Sequence, residues 1–218
     1  MTQETSSAPA SAILVVGGGI SGITAALEAA EVGYEVYLVE SQPSLGGRVA
    51  QLKYYFPKLC PPNCGLEINY RRIKDNAKIH VLTMATVASL TGGPGAYEAV
   101  IKIAPRYVNE RCTCCGECAK ASQTSIPSEF DFGMGTVKGA YLPQEMAFPA
   151  RYVVSSRVIG TDDAQRIKDA CPYDAVDLGM AEKTLTLPVG AVIWATGWEP
   201  YDARKIENLG FGRHANIV

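Results

Sequence analysis

The sequence predicts an α/β protein, a doubly wound parallel-sheet domain of the Rossmann-like kind, interrupted by a cysteine-rich module. Three observations carry that reading. A short apolar run breaks at a glycine cluster that opens an alanine-rich helical stretch, AILVVGGGISGITAALEAAEVG. A second apolar run, EVYLV, ends against Glu40, twenty-three residues after Gly17. Four of the seven cysteines then fall within seven consecutive positions, in CTCCGEC.

Taken in order, Ala12 to Val16 is short, β-branched and apolar throughout, as a parallel strand covered on both faces requires. Gly17-Gly18-Gly19 stops it, and the helix that follows closes at Gly33. Glu35 to Val39 is the second strand and completes a βαβ unit. The loop SQPSLGG leads into a helix expected from Arg48 and ended near FPKLCPPNCG by its prolines. Leu66 to Asn76 reads as a further helix and Ile79 to Leu82 as a parallel strand. Ala85 to Leu90 and Tyr97 to Ile103 alternate and are joined by TGGPGA, which predicts a β-hairpin. From about Arg106 to Leu178 cysteine, glycine and proline dominate and apolar periodicity weakens. Thr184 to Leu187 and Ala191 to Ala195 then resume the strand pattern. The expected organisation is a disordered tail over 1–10, a dinucleotide-binding domain built from 11–105 and 179–218, and an inserted module over 106–178.

Composition narrows the function classes. A net charge of -2 with no block of like charges gives nucleic acid no purchase. The longest apolar stretches, such as SAILVVGGGI, are too short and glycine-rich to span a bilayer, so membrane contact is expected only through a partner. MTQETSSAPA lacks the apolar core of a secretory signal. Seven cysteines, an odd number with C-x-x-C spacing, argue against a secreted disulfide framework and for the reducing cytoplasm. No Ser–His–Asp or paired-carboxylate arrangement of a hydrolase is evident. His80 reads as packed or surface, His214 lies near the chain end, and Tyr54, Tyr55, Tyr70 and Trp194 read as core or intersubunit contacts.

Gly17-x-Gly19-x-x-Gly22 lies between a strand and a helix, and each glycine has a mechanical purpose. The first permits the tight turn, the second lets backbone approach a pyrophosphate, and the third lets helix and strand pack closely. The phosphates then face free N–H groups in the helix's first turn, which contains Ser21. Glu40 is placed to accept hydrogen bonds from the ribose hydroxyls. NAD and FAD share this fingerprint. Gly46-Gly47-Arg48 resembles the segment that follows the ribose-binding acid in flavoproteins of the glutathione reductase type, where it lies along the FAD pyrophosphate and ribityl chain. Ala195-Thr196-Gly197 resembles that family's ATG segment, which returns to the flavin nucleotide. The resemblance implies FAD as cofactor, with Thr196 and Gly197 in its site.

Cys112-x-x-Cys115-x-x-Cys118 has the spacing with which bacterial ferredoxins wrap three thiolates around a [4Fe–4S] cube. A local fourth ligand is absent, because Ser122 and Gln123 stand where it would fall. Cys171-Pro172, in DACPYDAVDL, resembles the remote closing segment of such a motif. The expected cluster set is therefore Cys112, Cys115, Cys118 and Cys171. Structural zinc is the alternative, although a zinc ribbon normally shows two C-x-x-C pairs. Cys114 is either a spare thiol or part of an unusual cluster. Cys60 and Cys64, in CPPNC, are either packed thiols or a redox or cluster pair.

Together, GGGISGITAALEAAEVGYEVYLVE, PSLGGRVAQL, FPKLCPPNCG, CTCCGEC and VIWATGWEPYD resemble the A-type flavoprotein of heterodisulfide reductase. Within that family the likeness is nearest to the short A-type flavoprotein of quinone-interacting membrane-bound oxidoreductase complexes. The resemblance implies an electron-transfer flavoprotein subunit, carrying FAD and a [4Fe–4S] cluster and working with the other subunits of a heterodisulfide-reductase-like or quinone-interacting complex. The competing readings are an NAD(P)H-dependent flavoprotein reductase and a non-enzymatic zinc scaffold. The family's later strand ending in Gly-Asp is not found before Val218, so the flavin domain is expected to be incomplete at its C-terminus.

Overall fold

A computed structural model describes residues 4–5, 12–54, 56–214 and 216–217. Apart from Glu4 and Thr5, which form a two-residue strand (β1), the expected tail over 1–10 lies outside the described residues, as does Tyr55. The βαβ unit consists of β2 (Ile13–Val16), α1 (Ile20–Glu31) and β3 (Val36–Glu40). A single turn of helix, α2 (Gly47–Ala50), and a longer helix, α3 (Asn63–Asp75), lead to β4 (Ile79–Thr83). The hairpin follows as β5 (Ala85–Gly93) and β6 (Ala96–Ile103). Near the other end lie β11 (Lys183–Val189) and β12 (Ala191–Trp194).

These strands make two sheets. The first is parallel, in the order β12-β2-β3-β4. The second has the order β1-β11-β6-β5 and is antiparallel except where β1 pairs with Leu185 and Thr186. Helix α1 covers one face of the parallel sheet through Gly22, Ile23, Ala26, Leu27 and Ala30, an i, i+3/i+4 stripe whose small members let the helix sit close. Leu66, Tyr70 and Ile73 of α3 complete that core.

The opposite face corrects the doubly wound expectation. Helices do not cover it; the antiparallel sheet does. Ala12, Leu14, Val16 and Val39 pack there against Ala85, Ala99, Ile101, Leu187 and Val189. The physical reason is the connection after β4. The chain enters a hairpin instead of a crossover helix, and the alternation of β5, β6 and β11 supplies an apolar face at strand spacing. Two local expectations also change. The helix from Arg48 lasts one turn, and α3 begins at Asn63, three residues early, so Cys64 lies on it.

Between β6 and β11 the chain builds a separate small core of Val108, Cys118, Ala140, Val154, Val158, Ile167, Ala175 and Val176. Its elements are α4 (Glu117–Ala121), the pair β7 (Ser125–Pro127) and β8 (Thr136–Lys138), the pair β9 (Ala140–Tyr141) and β10 (Val153–Val154), and α5 (Asp162–Asp169). Asp163, in the first turn of α5, ties it together. It is 4% exposed and accepts from Ser122 Oγ (2.9 Å), Gln123 N–H (2.9 Å) and Thr124 N–H (3.0 Å).

Burial pushes the Asp163 carboxyl up, but the hydrogen bonds from Gln123, Thr124 and Ser122 outweigh it and hold the group well below the carboxylate range. A depressed folded-state value stabilises the fold above the unfolded carboxyl's pKa of about 3.9 and is lost as pH falls below it. Asp163→Ala is therefore expected to destabilise this core by roughly 2–6 kcal/mol, the cost of orphaning two to three buried donors. Urea unfolding should show the deficit at pH 7 and a smaller one toward pH 3; an equal deficit at both would mean the charge is irrelevant.

Candidate cofactor sites

β2, β3 and β12 run parallel and end together at Val16, Glu40 and Trp194, so three loops meet at one sheet edge. A sheet edge of this kind is where open α/β folds bind nucleotides. A Cβ on Gly17 (φ +109°) would collide with the Ala195 carbonyl oxygen, and one on Gly22 would collide with the Gly17 carbonyl oxygen. Gly19 differs, because a Cβ there would meet nothing within 4 Å. Gly19 caps α1 with no side chain occupying the helix end, no acidic residue stands in the first turn, and Ser21 is part of it. The cradle is thus closed by packing at Gly17 and Gly22 and open at Gly19, as a bound pyrophosphate needs.

The Gly46-Gly47-Arg48 segment lies directly on this loop. Gly46 N–H donates to Gly18 O at 2.8 Å, and a Cβ on Gly47 would come within 3.0 Å of Gly19 Cα. Glu40 is buried, and its carboxylate accepts from Gly18 N–H (2.6 Å) and Gln42 N–H (2.7 Å). Glu40 therefore shapes the glycine loop, a duty the sequence does not announce. Beyond β12, Ala195 N–H donates to Val16 O (2.7 Å), which holds Ala195 and Thr196 beside Gly17 and leads into Gly197. The Arg48 guanidinium sits over the Trp198 ring, 4.6 Å from its centroid, and joins the two segments across the edge.

Cys112, Cys115, Cys118 and Cys171 line one small cavity, walled by Val108, Tyr152, Ala175 and Val176. Cys114 does not line it. Cys171 Sγ accepts from Ala175 N–H at 3.3 Å, and burial pushes the Cys118 thiol up to about 12, so a thiolate there calls for a cation to hold it. Among the described residues, no three Cys, His, Asp or Glu side chains stand as the shell of one metal ion. Ser122, in place of a local fourth thiolate, instead donates to Asp163 and accepts from Gly139 N–H.

Cys60 is half-buried in the loop before α3, Cys64 is exposed in its first turn, and both are free thiols. His80 pairs with Glu35 at the surface (2.8 Å) and stacks on Tyr37. Tyr70 is buried, whereas Tyr54 and Trp194 are exposed.

Several residues that join the two regions carried no sequence signal. Ser44 Oγ accepts from Phe148 N–H and Gln144 Nε2, each at 3.0 Å. Leu45 N–H donates to Phe148 O (2.9 Å), and the Tyr70 ring stacks on Phe148 while its hydroxyl donates to Leu45 O. Residues 144–148 of the inserted region are thereby locked to the loop that precedes Gly46.

The fold and this glycine edge define the class as FAD-dependent oxidoreductase, and the family model of that description matches residues 12–57. Relatives cover far more of the chain. An A-type iron-sulfur subunit of the CoB–CoM heterodisulfide reductase of Methanopyrus kandleri is 37% identical over 94% of this chain and 31% of its own length. Its counterpart in Methanocaldococcus jannaschii is 37% identical with the same coverage, and that of the ferredoxin:CoB-CoM heterodisulfide reductase of Methanosarcina acetivorans is 33% identical over 94% of this chain and 26% of its own length. Over nearly its whole length the chain is similar to the A-type subunits of heterodisulfide reductases. It spans about a third of the length of these relatives. Among the described residues no helix is long and apolar enough to cross a membrane.

Proposed function

We propose that the chain is the electron-transfer part of a heterodisulfide-reductase-like complex and holds FAD at the glycine edge and a [4Fe–4S] cluster in the cysteine cavity. The observation that carries the reading is that the four cysteines singled out by spacing, and not Cys114, line one cavity in a region hydrogen-bonded to the flavin-side loop. Four irons in a cube spread their thiolates further apart than one tetrahedral ion does, which favours the cluster over structural zinc. When bound, FAD supplies two-electron chemistry that can be divided into single electrons, and the cluster carries one electron at a time.

The chain's own residues bind and orient these groups. Gly17, Gly19, Ser21 and Gly22 bring backbone N–H groups to the pyrophosphate. Glu40 holds the loop and the ribose, while Gly46, Gly47, Arg48, Thr196 and Gly197 line the path toward the flavin. Residues 106–178 form the inserted ferredoxin-like module, with Cys112, Cys115, Cys118 and Cys171 as ligands. Cys60 and Cys64 remain candidate redox thiols on the flavin side. Partners are the other subunits of a heterodisulfide- or quinone-linked complex, and any membrane association of this cytoplasmic chain runs through them.

The test is the visible spectrum of anaerobically purified protein with FAD, iron and sulfide analysis. One FAD and four irons per chain are expected; zinc in place of iron, or absence of flavin, would overturn the reading. Glu40→Ala should cost roughly 1.5–3 kcal/mol of FAD binding, about 10- to 150-fold in affinity, from one charge-assisted contact. Unchanged flavin occupancy after gel filtration would remove Glu40 from the site.

A further inference from the structure

The Leu45–Gly46 peptide is gripped at both ends. Its carbonyl oxygen accepts from Gln144 Nε2 (3.0 Å) in the inserted region and from Tyr70 Oη (2.8 Å) on α3. Its N–H donates to Gly18 O (2.8 Å) in the glycine loop. Gly18 O in turn belongs to the Gly18–Gly19 peptide, whose other end is the Gly19 N–H at the cap of α1. A trans peptide is rigid and planar, with its oxygen and its N–H pointing opposite ways, so fixing one end aims the other. The two planes therefore run in series from Gln144 to the Gly19 N–H. Buried Ser44 braces the first of them. Its hydroxyl donates to Leu45 O (3.1 Å) and accepts from Gln144 Nε2 and Phe148 N–H (3.0 Å each), which fills its one donor and two acceptor positions. The fit over this peptide is close: a Cβ on Gly46 would come to 2.7 Å from Tyr70 Oη and 3.5 Å from Gln144 Nε2.

Resting on the reading of the glycine edge as the FAD pyrophosphate cradle, we propose that Gln144 is a positioning residue for that cradle, through which the inserted region sets FAD affinity. Glu40 holds the Gly18 N–H (2.6 Å) from within the flavin-side sheet. Gln144 holds the carbonyl side of the same residue from the inserted region, by way of the Leu45–Gly46 peptide. Backbone N–H groups bind a pyrophosphate well when they are already aimed, because ordering the loop on binding would subtract from affinity. Coupling of this kind is reciprocal. If the grip of Gln144 on Leu45 O tightens FAD binding, bound FAD must tighten that grip by the same factor. Flavin occupancy is then felt in the region that carries the cysteine cavity.

The test uses the full chain stripped of flavin. Gln144→Met keeps the length of the side chain and removes its donors. Its FAD affinity, read by flavin fluorescence well below the unfolding temperature, is expected to fall about 3- to 10-fold, the scale of one hydrogen bond. Thermal unfolding of the flavin-free variant is read alongside. Amide exchange on the parent is expected to slow at residues 144–148 when FAD binds, and this response should shrink in Gln144→Met. A lower unfolding temperature with unchanged FAD affinity overturns the proposal and makes Gln144 a structural fastener. FAD binding that leaves exchange at 144–148 unaltered in the parent overturns it as well, and that measurement decides even if the variant does not fold. A parent chain that binds no FAD would instead sink the reading of the glycine edge itself.

Discussion

Gly19→Val is expected to leave the chain folded and strip it of FAD. Gly19 has ordinary extended backbone (φ -75°, ψ -178°), so a branched residue meets no backbone strain there, and its Cβ would enter open space. That open space is where the pyrophosphate must approach the α1 N-terminus. Filling it displaces two or more charge-assisted hydrogen bonds, roughly 3–6 kcal/mol, or about 10²- to 10⁴-fold in affinity. Gly22→Val supplies the contrast, because its side chain would drive into the Gly17 carbonyl and separate α1 from β2. It should lower thermal stability as well as FAD content. Circular dichroism with FAD quantitation reads both effects. Full flavin stoichiometry in a folded Gly19→Val protein would mean that this loop is not the phosphate cradle.

The difference between these two glycines shows how far a sequence reaches. A glycine fingerprint specifies contacts within a single strand–turn–helix, so Gly17, Gly19 and Gly22 fall where the spacing implies. The same holds for the hairpin of β5 and β6, whose alternation is local. What covers a sheet is decided elsewhere, because alternating strands give no sign of which layer they pack against. Leu187 and Val189 meet Leu14 and Val16 across more than 170 residues of chain. The one-turn α2 was equally opaque, since Val49, Leu52 and Phe56 keep a helical spacing in sequence although Leu52 and Phe56 are exposed in the structure.

That Cys112, Cys115 and Cys118 line one cavity follows from their local spacing, and Cys171, flagged by its following proline, lines it too. Ser44, Gln144, Phe148 and Arg106 carry no such signal. Their hydrogen bonds cross separations of 23 to 104 residues and leave no period or motif behind. Cys114 also gains meaning only in three dimensions. It holds a left-handed backbone (φ +58°) that favours glycine, yet it stays outside the cavity its neighbours line.

Cys171→Ala is expected to convert or abolish the [4Fe–4S] cluster while FAD remains bound. Cys171 comes from just beyond α5, more than fifty residues after the other three thiols, and lines the same cavity. On the proposed cluster reading its removal would leave one iron open to water and oxygen, and conversion to a three-iron form or loss of the cluster is expected. Ser122 is committed to Asp163 and Gly139, and an alcohol is a poor ligand at neutral pH. Cys114 lies against Cys112 but does not line the cavity. FAD should survive because its glycine edge belongs to the core of β2, β3 and α1, which Cys171 does not touch. Cys114→Ala is the matched control and should keep four irons. Iron and sulfide analysis with low-temperature paramagnetic resonance decides between them. Four irons and an unaltered reduced-cluster signal in Cys171→Ala would remove Cys171 from the ligand set, and their loss in Cys114→Ala would put Cys114 in its place.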